Sequence, residues 1–227
     1  MPRKSRHIKD NDKGKPWFKR QFPVRSERSI AIKNTFLIYC EGKNTEPEYF
    51  KSFPVTTDTK VEATGLSRSR TALVKKVIEL ISTIEKDEDQ QIWVVFDRDV
   101  RHVDKQQGDE DFNNAVKLAT QSGIKCAYSN DCFELWFVLH DEYLQSALDR
   151  NQLYDKLSGK LGFNYEKEGK GEEFTKSLYP LFLDRIPFAI QNAKRLHKSQ
   201  KGKEFHLQNP CTTVYQLVEA LNKNIRK

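Results

Sequence analysis

Two apolar segments of this sequence run directly into acidic residues whose spacing is suited to metal-assisted chemistry. Asp97 and Asp99 follow the apolar run 92–96, and Glu41 follows the run 36–40. Carboxylates held together repel each other, by about 4 kcal/mol for a pair about 4 Å apart at an effective dielectric near 20. A hard cation such as Mg²⁺ or Mn²⁺ relieves this repulsion, binds a substrate phosphate and activates a water molecule. The sequence therefore predicts a metal site with Glu41, Asp97 and Asp99 as ligands.

Whether these acids lie close together depends on the arrangement of the strands that precede them. Four short runs rich in β-branched and aromatic residues predict strands, at 35–40, 60–64, 92–96 and 124–128. Helical patterns separate the runs, which predicts parallel strands joined by right-handed crossovers. In the strand order 2-1-3-4 the first and third strands are neighbours, and open α/β sheets bind ligands at the carboxyl ends of such a pair. Glu41 and Asp97 then face each other across one crevice, with Asp99 close by.

A further acid, Glu134, lies near the start of the nearly all-apolar helical segment 133–140, which follows the fourth strand. Two interpretations are open. Glu134 could complement the helix dipole in the first turn, or it could be a fourth catalytic carboxylate on the same rim as the other three.

The chain divides into three predicted parts of different character. Residues 1–33 contain 11 Lys/Arg and 3 Asp/Glu without a regular apolar period, which predicts a basic, flexible tail that accounts for the net charge of +7. Residues 34–141 contain all the predicted strands and form the α/β core. Residues 142–227 show only helical patterns, which predicts a helical part packed on the core.

Basic residues are candidates for contacts with a nucleic-acid backbone, because each neutralised phosphate releases counterions. Trp17, Phe18 and Phe22 lie among the charges of the tail and could stack on bases, or they could anchor the tail to the domain. The other candidates lie in the loop after the first strand, before the second helix and in a basic helical run: Lys43, Arg68, Arg70, Lys194, Arg195 and Lys198. A solvated surface is the alternative for each of them.

Two classes of protein are disfavoured by composition. No apolar run approaches the roughly 20 residues of a membrane span, and no apolar segment follows the basic amino terminus as in a secretory signal. We therefore expect a soluble, cytoplasmic protein. The cysteines lack the paired spacing of zinc sites, which predicts buried, reduced thiols at Cys40, Cys126, Cys132 and Cys211.

An Asp-X-Asp after an apolar strand is not specific by itself, since phosphotransferases of the haloacid dehalogenase type and glycosyltransferases also carry one. A strand ending in Glu41-Gly42, followed later by one ending in Asp97-Arg98-Asp99, resembles the Toprim fold of primases, topoisomerases and OLD-type nucleases. More closely, the chain resembles the RloB family, whose members are found beside restriction and defence genes. Four stretches carry this resemblance, at 37–47, 95–99, 128–137 and 209–214.

The resemblance implies an α/β fold with a Toprim-like four-stranded parallel sheet of order 2-1-3-4, flanked by helices, and a helical C-terminal extension. It also implies a nuclease-like protein that depends on Mg²⁺ or Mn²⁺, in some systems partnered by an ABC-type ATPase. By this match the metal would be held by Glu41, Asp97 and Asp99. Three further residues belong to the family pattern: Glu46, Asn130 and Glu134.

The leading hypothesis is a metal-dependent phosphodiesterase that cleaves DNA or RNA in anti-phage defence, with Lys43 and His102 as rival proton-handling groups. The alternative is a non-catalytic sensor or regulatory subunit that binds nucleic acid or an ATPase partner. A dehalogenase-type phosphatase needs an aspartyl nucleophile near the start of its domain. We disfavour it because Asp97 lies behind two strands.

Overall fold

The β-sheet forms where the sequence concentrates β-branched and aromatic residues, which suit a pleated, buried surface. The structure is a computed structural model that describes residues 31–84, 88–99, 105–169 and 171–226. In these ranges the strands are β1 (Asn34–Cys40), β2 (Thr59–Gly65), β3 (Gln90–Asp97), β4 (Lys125–Asn130) and β5 (Cys211–Thr212). Their order is β2-β1-β3-β4-β5; the first four are parallel, and β5 runs antiparallel to β4.

This arrangement confirms the predicted α/β fold with four parallel strands in the order 2-1-3-4. The structure adds β5, which pairs Thr212 with Ser129 and Cys211 with Asn130. A strand of two residues contains neither an apolar run nor an alternation, so the sequence pattern could not reveal it.

Helices connect the strands and follow one another after β4. They are α1 (Thr45–Lys51), α2 (Arg70–Ile81), α3 (Lys105–Gln121), α4 (Glu134–Val138), α5 (Arg150–Leu161), α6 (Tyr165–Glu168), α7 (Glu172–Phe182), α8 (Ile186–Ser199) and α9 (Val214–Asn222). Short 3₁₀ turns span Leu183–Arg185 and Phe205–Leu207. None of the helices in the described ranges has both the length and the apolar character that spanning a membrane requires.

The strand β3 is buried on both faces, which explains its unbroken apolar sequence. Successive side chains of a strand point to opposite faces. Trp93 and Val95 pack in the cluster that contains aromatic residues of α1 and α4, whereas Val94 and Phe96 pack with α2 and α3. Two helical layers therefore cover the sheet and fix the position at which β3 ends.

The C-terminal helices share a core with α1 and α4. Leu178 of α7, Leu196 of α8 and Leu217 of α9 are buried in the same cluster as Trp93. The described residues from Ile32 onward accordingly form one compact unit.

Several predictions concern residues outside the described ranges. They are residues 1–30 of the basic tail, with Trp17, Phe18 and Phe22, and the loop residue His102. The cysteines all lie within the described ranges as free thiols, and each is buried except Cys126, which is partly buried.

Candidate active site

The carboxyl ends of β1, β3 and β4 lie side by side, and their register brings predicted acids together. Cys40, the last residue of β1, pairs with Val95 of β3, so that Glu41 lies beside Asp97. The Glu41 N–H donates to the Val95 carbonyl (2.9 Å), and Glu41 Oε2 accepts from the Asp97 N–H (3.4 Å). The two carboxylates thus meet in the crevice expected between the first and third strands.

A cleft with a volume of ≈ 270 Å³ opens at this edge of the sheet. Its walls come from the loop between β1 and α1, the end of β3, the start of α4, and α5. The residues that line it are Glu41, Gly42, Lys43, Asn44, Thr45, Glu46, Asp97, Asp99, Phe133, Glu134, Arg150 and Tyr154. The structure therefore brings together all four predicted carboxylates and adds a fifth, that of Glu46.

Glu46 is held inside the cleft by its packing against Gly42. Its residue is only 8% exposed, and a Cβ atom built on Gly42 would collide with the Glu46 carboxylate. A Cβ atom on Gly65 would in turn collide with the Gly42 carbonyl and with the backbone of Lys43. The Glu41-Gly42 motif therefore serves packing as well as chemistry, because only glycine leaves room for the Glu46 side chain.

Replacing Gly65 with alanine should force the backbone at Gly42 and Lys43 away from β2 and lower the free energy of unfolding by about 1–3 kcal/mol, the usual cost of overpacking. Gly159 is the matched control, because a Cβ atom there meets no atom within 4 Å. In the helix α5, Gly159→Ala should be neutral or stabilise the protein by up to about 1 kcal/mol. Urea denaturation measures both variants, and a Gly65→Ala protein as stable as the wild type would contradict the close approach of β2 to the Glu41-Gly42 loop.

Glu134 begins α4 and points into the cleft from the end of β4. It is only 5% exposed, and its Oε1 accepts a hydrogen bond from the Tyr165 hydroxyl (3.5 Å). Both interpretations from the sequence are met in part, since Glu134 occupies the first turn of a helix and also lines the rim with Glu41 and Asp97.

Burial and mutual repulsion make the inner carboxylates difficult to ionise together. Burial raises the pKa of Glu41 to about 7, against the lowering effect of the Arg70 charge. Burial also raises the pKa of Glu46 to about 7, and the charges of Glu134 and Glu41 add to the effect. The pKa of Asp97 is raised well above its usual range, first by burial and then by Glu46. A cation bound among these groups would favour their ionised forms.

Arg150, the first residue of α5, brings a positive charge into the cleft. Its Nη2 lies 3.7 Å from Asp97 Oδ2 and 3.7 Å from Asp99 Oδ1. Burial disfavours the charged guanidinium, but the neighbouring acidic groups together, with Asp97 the strongest of them, outweigh this effect and raise the pKa of Arg150. Sequence reasoning missed this residue, since the local signal there is a helix cap: Asp149 and Gln152 form a capping box. That signal marks the start of α5 and says nothing about which surface the helix meets.

The donor atoms of the cleft fit a hard divalent cation. They are carboxylate oxygens, which Mg²⁺ and Mn²⁺ prefer, and Asp97 Oδ1 is buried without a hydrogen-bond partner among the described residues. As they stand, the His, Cys, Asp and Glu side chains in the described ranges do not form a group of three or more that could hold an ion. Metal binding therefore requires at least one carboxylate to move. Asp99 is the least constrained of the predicted ligands, with 39% of its side chain exposed.

Three of the predicted nucleic-acid contacts come from the segments after β1 and before α2, and they differ in exposure. Lys43 is exposed on the rim, and Arg68 is exposed before α2. Arg70 is 5% exposed; its Nη1 donates to the Arg98 carbonyl (2.6 Å), and its Nε donates to Asp111 (2.9 Å). This placement disfavours direct contact of Arg70 with nucleic acid, whereas contact by Lys43 and Arg68 stays a prediction.

The other three candidates lie on α8 and do not line the cleft. Lys194 pairs with Glu219 (2.6 Å), and the Arg195 guanidinium lies 4.0 Å from the centre of the Tyr143 ring. Lys198 is exposed near the end of the helix. Nucleic-acid contact at this surface stays a prediction.

Asn130, a residue of the family pattern, connects β4 to the segment before β5. Its Nδ2 donates to the carbonyls of His206 (3.0 Å) and Gln208 (2.9 Å), while its Oδ1 accepts from Arg98 Nη1 (3.4 Å). These bonds satisfy a fully buried amide. The placement accounts for Asn130 as a structural residue that fixes the edge of the sheet beside the cleft.

Fold and site together define an α/β protein with a mostly parallel sheet and a carboxylate cleft at the ends of its strands. Among protein families, the one described as RloB-like protein matches residues 36–221, and the chain belongs to this family. The match extends from β1 to α9 and so includes the whole cleft. Neither the curated proteins nor the solved structures contain a match to the chain.

Proposed function

We propose that this RloB-like protein is a metal-dependent nuclease of the Toprim type that hydrolyses phosphodiester bonds of DNA or RNA in defence against phage. The observation that carries the proposal is the meeting of Glu41, Asp97 and Glu134 in one cleft, at the carboxyl ends of three neighbouring parallel strands. Strand order and the positions of the acids support the Toprim type.

Mg²⁺ or Mn²⁺ in this cleft would polarise the scissile phosphate and activate a water molecule as the nucleophile. Glu41 and Asp97 are best placed to hold the ion, because the Asp97 N–H orients Glu41 and Asp97 Oδ1 lacks another partner within the described structure. Asp99 follows on the loop, where its exposed side chain can approach once the ion binds. Glu134, which accepts from the Tyr165 hydroxyl, lies in the same cleft and is a candidate catalytic carboxylate beside these ligands.

Lys43 supplies a positive charge on the substrate side of the cleft. It is exposed and forms no ion pair with any residue that the structure describes. A free ammonium group on the rim suits a backbone phosphate next to the scissile one. The acidic interior would then hold the metal while the rim attracts the polyanion.

Cleavage assays on DNA and RNA, including tRNA, test the proposal. We expect strand scission with Mg²⁺ or Mn²⁺, no scission with EDTA, and loss of scission in the double variant Asp97→Ala/Asp99→Ala. The matched control is Asp155→Ala/Asp184→Ala, which removes two exposed carboxylates and should leave the rate unchanged. Metal-dependent cleavage that survives in the Asp97/Asp99 variant would contradict the assignment.

A second candidate function is a non-catalytic sensor or regulatory subunit that binds nucleic acid or an ATPase partner. The position of Arg150 favours it, because a guanidinium beside Asp97 and Asp99 neutralises part of their charge without a metal. Titration calorimetry distinguishes the two functions. Uptake of Mn²⁺ that is lost in Asp97→Ala/Asp99→Ala supports the nuclease, whereas no uptake at millimolar Mn²⁺ supports the regulatory subunit.

A further inference from the structure

Arg150 keeps unused hydrogen-bonding capacity inside the cleft. A charge-assisted N–H···O bond measures about 2.7–2.9 Å, whereas Arg150 Nη2 lies 3.7 Å from the nearest oxygens of both Asp97 and Asp99. Its Nε is buried and donates to no acceptor among the described residues. The guanidinium is therefore attracted to the two carboxylates, while within the described structure its Nε–H has no acceptor and its Nη2 lies beyond hydrogen-bond distance of both.

The chemistry of a suitable acceptor follows from the guanidinium and from its surroundings. A guanidinium presents five N–H donors in a planar fork that matches the oxygens of a phosphate. As far as the described residues go, Arg150 and Lys43 are the two basic side chains that line the cleft. Lys43 is exposed on the rim, whereas the Arg150 side chain is 17% exposed and lies beside Asp97. Arg150 is thus the cation nearest to the place where a phosphate would react.

The helix that carries Arg150 packs on the core through Leu153 and Leu157, which are buried. The Asp149 side chain accepts from the Gln152 N–H (3.0 Å) and caps the start of α5. Further along, Lys156 pairs with Glu142 (3.0 Å) and Lys160 pairs with Asp141 (3.3 Å). A guanidinium held in place before the substrate arrives needs little reorganisation during the reaction.

We propose that Arg150 is a catalytic residue that binds the scissile phosphate. The inference rests on the proposed nuclease function. In the hydrolysis, the oxygen of water bonds to phosphorus, the bond from phosphorus to the leaving oxygen breaks, and a proton from the water ends on that leaving oxygen. Arg150 keeps its protons and donates N–H groups to a non-bridging oxygen, where negative charge builds up in the transition state. It also offsets the charge that a phosphodiester brings into an already acidic cleft.

A purely neutralising role for Arg150 predicts the opposite result on substitution. If the guanidinium only takes the place of a metal ion between Asp97 and Asp99, its removal should tighten Mn²⁺ binding and leave turnover unchanged or faster. If it binds the phosphate, removal should lower turnover even though the metal still binds.

The test compares Arg150→Ala and Arg150→Lys with the wild type and with Lys117→Ala, which removes one exposed positive charge from α3. The substrate is the DNA or RNA that the wild type cuts with Mn²⁺. We expect kcat of Arg150→Ala to fall about 10²–10³-fold, as for other lost transition-state donors, with less than a tenfold change in KM. Added guanidinium ions should restore part of this loss, and Lys117→Ala should match the wild type. Arg150→Lys should remain at least about tenfold slow, since an ammonium lacks the planar fork.

Mn²⁺ affinity, measured by calorimetry, separates the outcomes. Equal or tighter Mn²⁺ binding together with a slow, guanidinium-rescued Arg150→Ala supports the inference. Wild-type turnover in Arg150→Ala would overturn the inference. If Arg150→Ala fails to fold, wild-type turnover in Arg150→Lys would overturn the inference instead. If the wild type itself cuts no nucleic acid, the proposed nuclease function fails, and the role of Arg150 fails with it.

Discussion

Asp97→Asn should lower the rate of cleavage about 10³-fold, which corresponds to roughly 4 kcal/mol in activation free energy, and should also make the metal-free protein more stable. The loss of rate is expected because an amide is a neutral, weaker ligand than the carboxylate that Mg²⁺ prefers. The gain in stability is expected because burial and the nearby Glu46 oppose the ionised form of Asp97 and raise its pKa. We therefore expect the free energy of unfolding at pH 8 to be higher for Asp97→Asn than for the wild type.

Urea denaturation in EDTA and cleavage assays in Mn²⁺ measure the two effects on the same preparations. Asp155→Asn is the matched control, because Asp155 is exposed on α5, and neither quantity should change there. A slow variant with unchanged stability would mean that neighbouring groups already offset the cost of burying the Asp97 charge. A stabilised variant with full activity would show that Asp97 is not a metal ligand.

The metal-free protein should lose stability between about pH 4.5 and pH 7, and the loss should disappear when Mg²⁺ is bound. Burial raises the pKa of Glu41 from 4.5 to about 7. Below pH 4.5 both the folded and the unfolded states hold the proton, whereas between the two values the unfolded state has released it and the folded state has not. The free energy of unfolding therefore falls as the pH rises, by roughly 3 kcal/mol for one such group, and is constant above the folded-state pKa.

Comparison with Glu41→Gln isolates this effect from the rest of the protein. Other acids act in the opposite direction, as with Asp58, whose pKa is lowered by a hydrogen bond from Thr56. Urea unfolding from pH 4 to pH 8 should show a decline in the wild type that is smaller in Glu41→Gln and unchanged in Glu110→Gln, an exposed position on α3. Wild-type stability that rises relative to Glu41→Gln over this range would refute the prediction.

The sheet and four members of its carboxylate cluster could be predicted because their signals are local. The unbroken apolar sequence of β3 reflects burial on both faces, and the alternation of strands and helices predicts parallel strands. Parallel neighbours end at the same edge, so the residues after β1 and β3 had to meet. The close approach of Glu41 and Asp97 follows from these simple rules.

The remaining features could not be predicted because they depend on contacts between distant segments. The sequence predicts that Arg70 is an exposed basic residue before a helix. In the structure Arg70 is buried and pairs with Asp111. The local sequence around Arg150 gives no sign of a functional residue, and only the docking of α5 brings it to Asp97. Glu46 belongs to the family pattern, but nothing in its local sequence indicates a buried side chain. Its burial depends on the absence of a side chain at Gly42.

The hydrogen bond from Tyr165 to Glu134 has a consequence for the protein while it is being synthesised. A nascent chain that has emerged as far as residue 140 already contains Glu41, Asp97, Asp99 and Glu134, yet it lacks Arg150 and Tyr165. Contacts between distant segments form late in folding, since the intervening chain must first be ordered. The cleft is therefore complete only after the helices beyond β4 have been synthesised and have docked, so the part of the chain that contains the four acids does not form the finished cleft by itself.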